Sequence, residues 1–187
     1  MKKKIILASA SPRRKELLSK ITNDFEIKPS DFDESKIPEL SASDVATFLA
    51  TKKAMNTDYK DCVIIGCDTV VILDEEILGK PKDEDDAFKM LSKLSGKKHF
   101  VETGVCLKFN DKTFSFSEIT QVEFHHLTTN EINEYIASGE PFDKAGGYGI
   151  QGDGALFVKG IFGDYYNVVG LPIARLKREL ESFLRGI

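Results

Sequence analysis

Lys4-Ile5-Ile6-Leu7-Ala8-Ser9-Ala10-Ser11-Pro12-Arg13-Arg14 decides the class of the fold. Ile5 to Ala8 form a short apolar run bounded by polar residues, which predicts a buried strand over Lys4 to Ala8. Pro12 suits the first position of a helix, because its missing N–H has no partner there in any case. The helix is predicted to reach Lys20, with Leu17, Leu18 and Ile21 on its buried side. A strand that passes into a helix through a turn of small residues is the opening move of an α/β fold. Lys2, Lys3 and Lys4 look like the basic start of a secretion signal. The apolar run behind them stops at Ser9, too soon for such a segment, so they read as a solvated lead-in to the strand.

Outward from this stretch, Phe25-Glu26-Ile27 reads as a second short strand, followed by a polar loop from Pro29 to Leu40. Ser41-x-x-Asp44 is a capping-box variant that opens a helix to about Asn56, with Val45, Phe48 and Leu49 turned inward. Cys62 to Cys67 and Val70 to Leu73 are apolar, β-branched runs broken by Asp68-Thr69, with a hairpin at Asp74 to Glu76. Asp83-x-x-Asp86 opens a helix carrying Ala87, Met90, Leu91 and Leu94, and Gly96 stops it. His99 to Phe109 and Thr113 to His125 form two strands around Asn110-Asp111. Thr128-x-x-Glu131 opens a helix that buries Ile132, Tyr135 and Ile136 and ends at Gly139. A glycine-rich loop from Asp143 to Gly154 leads to a short strand over Ala155 to Val158. Pro172 opens a last helix with Ile173, Leu176, Leu180, Phe183 and Leu184 at helical spacing. The order of elements is mixed α/β, with no repeat, low-complexity stretch or linker to divide it.

A chain of 187 residues can bury roughly 70% of its unfolded surface and needs no disulfide or metal staple. No apolar run approaches the ~18 residues of a membrane span. The net charge of −4 argues against binding a nucleic acid polymer, which needs a basic face. A small anion needs only a few local cations. Cys62, Cys67 and Cys106 are odd in number, form no CxxC pair and sit in apolar runs, so they read as core residues of a reducing, cytoplasmic compartment. His99, His125 and His126 have no zinc-ligand spacing to them.

Four stretches carry chemistry. In Ser9 to Arg14 two arginines occupy the first turn of a helix, where the dipole disfavours cations; a bound anion reverses that sign. The alternative is a surface helix with chance basic residues. Asp68 interrupts a run that should be buried, and a buried carboxylate is costly unless paired, hydrogen-bonded or metal-bound. The alternative is a strand end where Asp68 caps a turn. Lys80 is held between Gly79 and Pro81, which fixes the direction of its ammonium for a phosphate; taken alone, a solvated loop lysine is the simpler reading. In Gly139 to Gly152 the glycines permit close backbone approach, and Gln151 offers a donor and an acceptor to the edge of a base. A flexible, unliganded loop is the other reading. Asp33-Glu34 and Lys52-Lys53 carry little information alone: the first pair lies in a polar loop, and the second complements a helix C-terminus.

Carboxylates, isolated cations and a glycine-rich loop together suit a metal-bound polyphosphate, with a metal-activated water as nucleophile. There is no GxxxxGK[ST] and no GxGxxG after a strand, so neither a P-loop nor a dinucleotide site is indicated. No Ser-His-Asp or Cys-His arrangement is evident.

Ser9-Ala10-Ser11-Pro12-Arg13-Arg14-Lys15-Glu16-Leu17-Leu18, Asp68-Thr69-Val70-Val71, Gly79-Lys80-Pro81 and Gly139 to Gly152 resemble, in order, the motifs of the Maf proteins. Leu94-Ser95-Gly96, Thr103-Gly104-Val105 and Asn167-Val168-Val169-Gly170-Leu171-Pro172 do the same. The resemblance implies one Maf-type domain over 1–187, with a bent mixed sheet and flanking helices in two lobes around a central cleft, as in inosine triphosphate pyrophosphatases. It implies hydrolysis of a nucleoside triphosphate to the monophosphate and pyrophosphate with Mg²⁺ or Mn²⁺, and a link to septum formation. By motif position Asp68 is the catalytic carboxylate and a metal ligand, and Glu34 a second metal ligand. Arg13, Lys53 and Lys80 match phosphate-binding cations, with Ser9 and Arg14 in the same motif. Arg13, Thr69 and Gln151 resemble the branch that acts on dTTP and UTP rather than 7-methyl-GTP. The family also allows a homodimer. The rival classes are a nucleotide-binding regulator without turnover, a phosphatase acting at the γ-phosphate and, third, a nucleic-acid-binding module, which the acidic balance disfavours.

Overall fold

The computed structural model describes residues 3–33, 38 and 40–187. Its elements are β1 (Lys4–Leu7), α1 (Pro12–Ser19), β2 (Phe25–Ile27), α2 (Ala42–Met55), β3 (Cys62–Leu73), β4 (Glu76–Leu78), α3 (Glu84–Leu94), β5 (Lys98–Phe109), β6 (Lys112–Phe124), α4 (Thr129–Ala137), β7 (Val158–Phe162), α5 (Tyr165–Val169) and α6 (Ile173–Arg185). The strands form one seven-stranded mixed sheet in the order β2-β1-β3-β5-β6-β7, with β4 paired to β3. β1 is parallel to β2 and β3, whereas β4 and β7 are antiparallel to their neighbours. The chain divides into two compact units. No helix among the described residues is long and apolar enough to cross a membrane.

The first unit comprises Met1–Asp68, Thr103–Glu118 and Gly170–Ile187. β1 lies between β2 and β3 and buries Ile5, Ile6 and Leu7 together, as a strand covered on both faces must. α2 buries Val45, Ala46, Leu49, Ala50 and Ala54. Phe48, expected on this inner face, is only half-buried, and the Lys52 ammonium lies 5.3 Å from its ring centroid. Two strand glycines explain the displacement. A Cβ on Gly66 would meet the Ala50 carbonyl and would come within 2.9 Å of the Ala54 Cβ; one on Gly104 would meet the backbone of Ala46 and Thr47. The helix therefore rests its alanines directly on sheet backbone, where a phenyl ring does not fit. The expected Ser41 cap also differs: its hydroxyl donates to Asp44 Oδ2 at 2.5 Å and accepts no backbone N–H.

The second unit comprises Thr69–Glu102 and Ile119–Val169. The hairpin between β3 and β4 turns on Asp74 and Glu75, at φ 50° and 68°, the positive values that a two-residue turn requires. Asp83 caps α3 by accepting from Asp86 N at 2.8 Å, and Thr128 and Glu131 form a complete capping box on α4. Both helices pack onto an aromatic centre in which Phe124 meets Tyr148 and Phe157 edge-on, at 4.7 and 5.9 Å. One expectation fails here, and one helix appears that the sequence did not predict. Asp153–Phe157 is a 3-10 turn rather than the start of a strand, closed by Ala155 N donating to Gly152 O, and β7 begins only at Val158. α5 carries no helix signal of its own. It is fixed by the fully buried Asn167, whose amide donates to Val101 O at 2.9 Å and to Thr120 Oγ1 at 3.0 Å.

Candidate active site

The first unit positions Ser9, Arg13, Arg14, Lys53 and Asp68. β1 and β3 run in register with Leu7 opposite Ile65, and Ala8 N donates to Ile65 O at 2.9 Å, so the turn after β1 leaves the sheet beside Gly66 to Asp68. Ser9 is buried, and its hydroxyl accepts from Arg14 Nη1 at 3.2 Å and from Ser11 N at 3.3 Å. Arg14 Nε also donates to Gly170 O at 3.0 Å. Ser11 caps α1 by accepting from Arg14 N, and no acidic residue occupies that first turn. Arg14 thus braces the turn from within, while the half-buried Arg13 places a second cation at the same helix end.

The expected break in the strand at Asp68-Thr69 does not occur, since β3 runs unbroken from Cys62 to Leu73. Asp68 is consequently no turn cap. It is a carboxylate in mid-strand, 8% exposed, and its Oδ1 accepts from the Lys53 ammonium at 2.5 Å. This pair offsets the desolvation that made Asp68 hard to explain as structure. Lys53 sits in the last turn of α2, and Gly66 faces the same helix from two residues before Asp68. Alternation along a strand puts Gly66 and Asp68 on one face, so the missing Cβ of the first is what lets Lys53 reach the second. Between them Cys67 is fully buried; burial pushes its thiol up, against the opposing pull of Arg14 and Lys53. One of the expected phosphate cations, Lys53, therefore meets the expected catalytic carboxylate directly. Glu34, the other expected metal ligand, lies outside the described residues.

The second unit carries Thr69, Lys80 and Gln151. Thr69 is half-buried in β3, and Lys80 and Gln151 are exposed. Gly79 O accepts from Gly146 N at 2.9 Å, which ties the Gly79-Lys80-Pro81 stretch to the glycine-rich loop. At Gly146, φ is +67° and a Cβ would press on Val71; Gly147, at +72°, lies against Pro81. The loop is wound into 3-10 turns over Glu140–Asp143 and Ala145–Gly147, with Lys144 Nζ donating to Glu140 O and Asp143 Oδ1 at 2.7 Å each. The alternative of a loose loop is not what the chain adopts.

Two supports of this loop escaped the sequence reading. Tyr148 is buried within it, and its hydroxyl lies 2.8 Å from Nε2 of the fully buried His99, whose Nδ1 has no hydrogen-bond partner among the described residues. Burial lowers the imidazole to about 4 from its ordinary 6.5, so His99 stays neutral near pH 7. Glu140 accepts from the Tyr135 hydroxyl and from Asp153 N. Histidine among apolar strand residues was the available signal for the first. Glu140 offered none beyond its place in a motif.

The sheet order with its flanking helices defines a class of fold before any family. A HAM1 protein from Coxiella burnetii has this fold, with a TM-score of 0.55 over 97% of this chain and 100% of that one, at 12% identity. A family model described as Maf-like protein matches residues 4–183, and the chain belongs to the Maf family. Among its relatives, the dTTP/UTP pyrophosphatase of Bacillus cereus is 53% identical over 183 residues, covering 97% of this chain and 96% of that protein. The dTTP/UTP pyrophosphatase of Bacillus cytotoxicus is 52% identical over 186 residues, covering 98% and 97%.

Proposed function

We propose that this protein is a nucleoside triphosphate pyrophosphatase that hydrolyses dTTP and UTP to the monophosphate and pyrophosphate. The observation that carries the reading is the 53% identity to a dTTP/UTP pyrophosphatase across 97% of the chain. The buried Asp68–Lys53 pair supports it chemically, because a carboxylate kept inside a strand at such cost has a use beyond packing.

Asp68 acts as general base. Oδ1 is engaged by Lys53, which orients the group, and Oδ2 takes a proton from water as the water oxygen bonds to the α-phosphorus. The bond from that phosphorus to the bridging oxygen breaks, and pyrophosphate leaves with the electron pair. Arg13, Lys53 and Lys80 offset the charge that builds on the leaving group, and Ser9 and Arg14 hold the turn that carries Arg13. Thr69 and Gln151 select the nucleoside, Gln151 through its paired donor and acceptor.

The donor set fits a hard cation that arrives with the substrate. Among the described residues no three His, Cys, Asp or Glu side chains gather to form a cage. Mg²⁺ and Mn²⁺ are commonly held by one or two carboxylates, with phosphate oxygens completing the shell. Asp68 supplies one carboxylate, and Glu34 is the proposed second. When bound, the cation neutralises phosphate charge. Residues 1–187 work as one Maf-type domain in this account, in the cytoplasm, as a homodimer, with a role in nucleotide pool cleaning or septum control.

Product analysis tests the reading. dTTP, UTP, CTP, GTP and 7-methyl-GTP are incubated with Mg²⁺, with Mn²⁺ and with EDTA. Metal-dependent pyrophosphate release, fastest from dTTP and UTP, is expected. Orthophosphate release would move the attack to the γ-phosphorus, and no turnover would leave a nucleotide-binding regulator.

A further inference from the structure

Glu140 holds the glycine-rich loop closed on itself. Its Oε1 accepts from the Tyr135 hydroxyl at 3.1 Å and its Oε2 from Asp153 N at 2.9 Å. The Tyr135 hydroxyl in turn accepts from Gly149 N at 3.1 Å. Gly149 and Asp153, the residues that flank Ile150-Gln151-Gly152, are thereby tied to one phenol and one carboxylate. Neither loop glycine facing that carboxylate has room for a side chain: a Cβ on Gly152 would overlap the Glu140 carboxylate, and one on Gly149 would come within 2.8 Å of Oε1. Gly154 closes the ring, since its Cβ would stand 3.0 Å from the Tyr135 hydroxyl and 2.7 Å from Gly149 O. Tyr135 is itself buried in α4, and burial raises its phenol above the ordinary tyrosine value, so it remains a proton donor throughout the working pH range.

We infer that Glu140, acting with Tyr135, is a positioning residue that sets the place of Gln151 and so the base selectivity of the enzyme. This inference rests on the pyrophosphatase reading and on Gln151 meeting the base. Gln151 is exposed, so its position follows chiefly from the backbone on either side. That backbone has Gly152 directly after Gln151 and Gly149 two residues before it, and would sample many conformations without the Glu140 anchor. The chemistry at the α-phosphorus involves other side chains and needs no part of this clamp. The reaction rate and the selectivity are therefore separable.

The experiment compares wild type, Glu140→Ala, Glu140→Gln and Tyr135→Phe in steady-state pyrophosphate release from dTTP, UTP, CTP and GTP, with thermal unfolding of each. Glu140→Ala is expected to raise KM for dTTP ~10-fold and to narrow the preference for dTTP over GTP by a similar factor, with kcat within about 3-fold of wild type. Glu140→Gln keeps an acceptor for Asp153 N and a donor for the Tyr135 oxygen, and should restore much of the selectivity. Tyr135→Phe, which removes no charge, should move KM and selectivity in the same direction, and it keeps the test open if Glu140→Ala does not fold. A fall in kcat with KM and selectivity unchanged would overturn the inference, and so would wild-type selectivity in folded Glu140→Ala and Tyr135→Phe. Wild type that releases no pyrophosphate from any nucleotide would instead sink the functional reading on which the inference stands.

Discussion

Replacing Gly66 by alanine tests the link between the packing of α2 and the charge pair at Asp68. The added Cβ would sit 2.7 Å from Ala54 N and 2.9 Å from Ala54 Cβ, and closer still to the Ala50 carbonyl. Carbon atoms in contact prefer roughly 3.5–4.0 Å, so the helix must retreat by about 1 Å. Two of the three atoms met are backbone, so no rotamer change relieves the clash. Overpacking of this kind costs about 1–3 kcal/mol. Because Lys53 stands in the turn beside Ala54, the retreat also draws its ammonium from Asp68, and a misplacement of about 1 Å at a reacting group can lower the rate by ~10²-fold. Gly79→Ala is the control, since nothing lies within 4 Å of its added Cβ, and it should stay within about 0.5 kcal/mol of wild type. Urea unfolding gives the stability and pyrophosphate release from dTTP gives the rate. Gly66→Ala with wild-type stability and wild-type turnover would refute the proposal that α2 must touch the bare strand to deliver Lys53.

Further outcomes follow from the same contacts. Asp68→Asn should lower kcat by at least ~10²-fold, the usual worth of a general base, and should also destabilise the fold by about 1–3 kcal/mol, because it takes a charged partner from a mostly buried lysine; near-normal turnover would remove Asp68 from the chemistry. Lys53→Met should leave kcat for dTTP at least ~10-fold down while lowering stability by a similar 1–3 kcal/mol, read by the same two assays. His99 makes stability depend on pH with a definite sign. Its folded value of about 4 lies below the ordinary 6.5, so the unfolded chain binds the extra proton: stability is complete above pH 6.5 and falls as pH drops toward 4. At about 1.36 kcal/mol per unit the loss approaches 3 kcal/mol. His99→Gln should flatten that part of the stability profile relative to wild type, and identical profiles would contradict a neutral buried imidazole.

Local chemistry made much of this molecule legible in advance. Pro12, Asp83 and the Thr128–Glu131 box start helices where they stand, because proline geometry and side-chain caps act within three or four residues. Failures came where a distant partner decides. The run from Cys62 to Leu73 looked broken at Asp68 because the lysine that makes a mid-strand carboxylate tolerable comes from another element, 15 residues earlier in the chain. Phe48 looked like core because helical spacing does not reveal that the facing strands carry Gly66 and Gly104. α5 depends on Asn167 bonding to Val101 and Thr120, which no local pattern announces. At the candidate site, the residue types at Ser9, Arg14 and Asp68 could be read from the sequence, whereas the bracing of Arg14 against Gly170, 156 residues away, could not. Glu140 was one acid in a motif until its two oxygens were seen holding Tyr135 and Asp153.

The central claim is that water attacks the α-phosphorus, and hydrolysis of dTTP in ¹⁸O-labelled water tests it most directly. Mass spectrometry of the products should find one labelled oxygen in dTMP and none in pyrophosphate. Label in pyrophosphate, or labelled orthophosphate beside dTDP, would place the attack on another phosphorus and contradict the account.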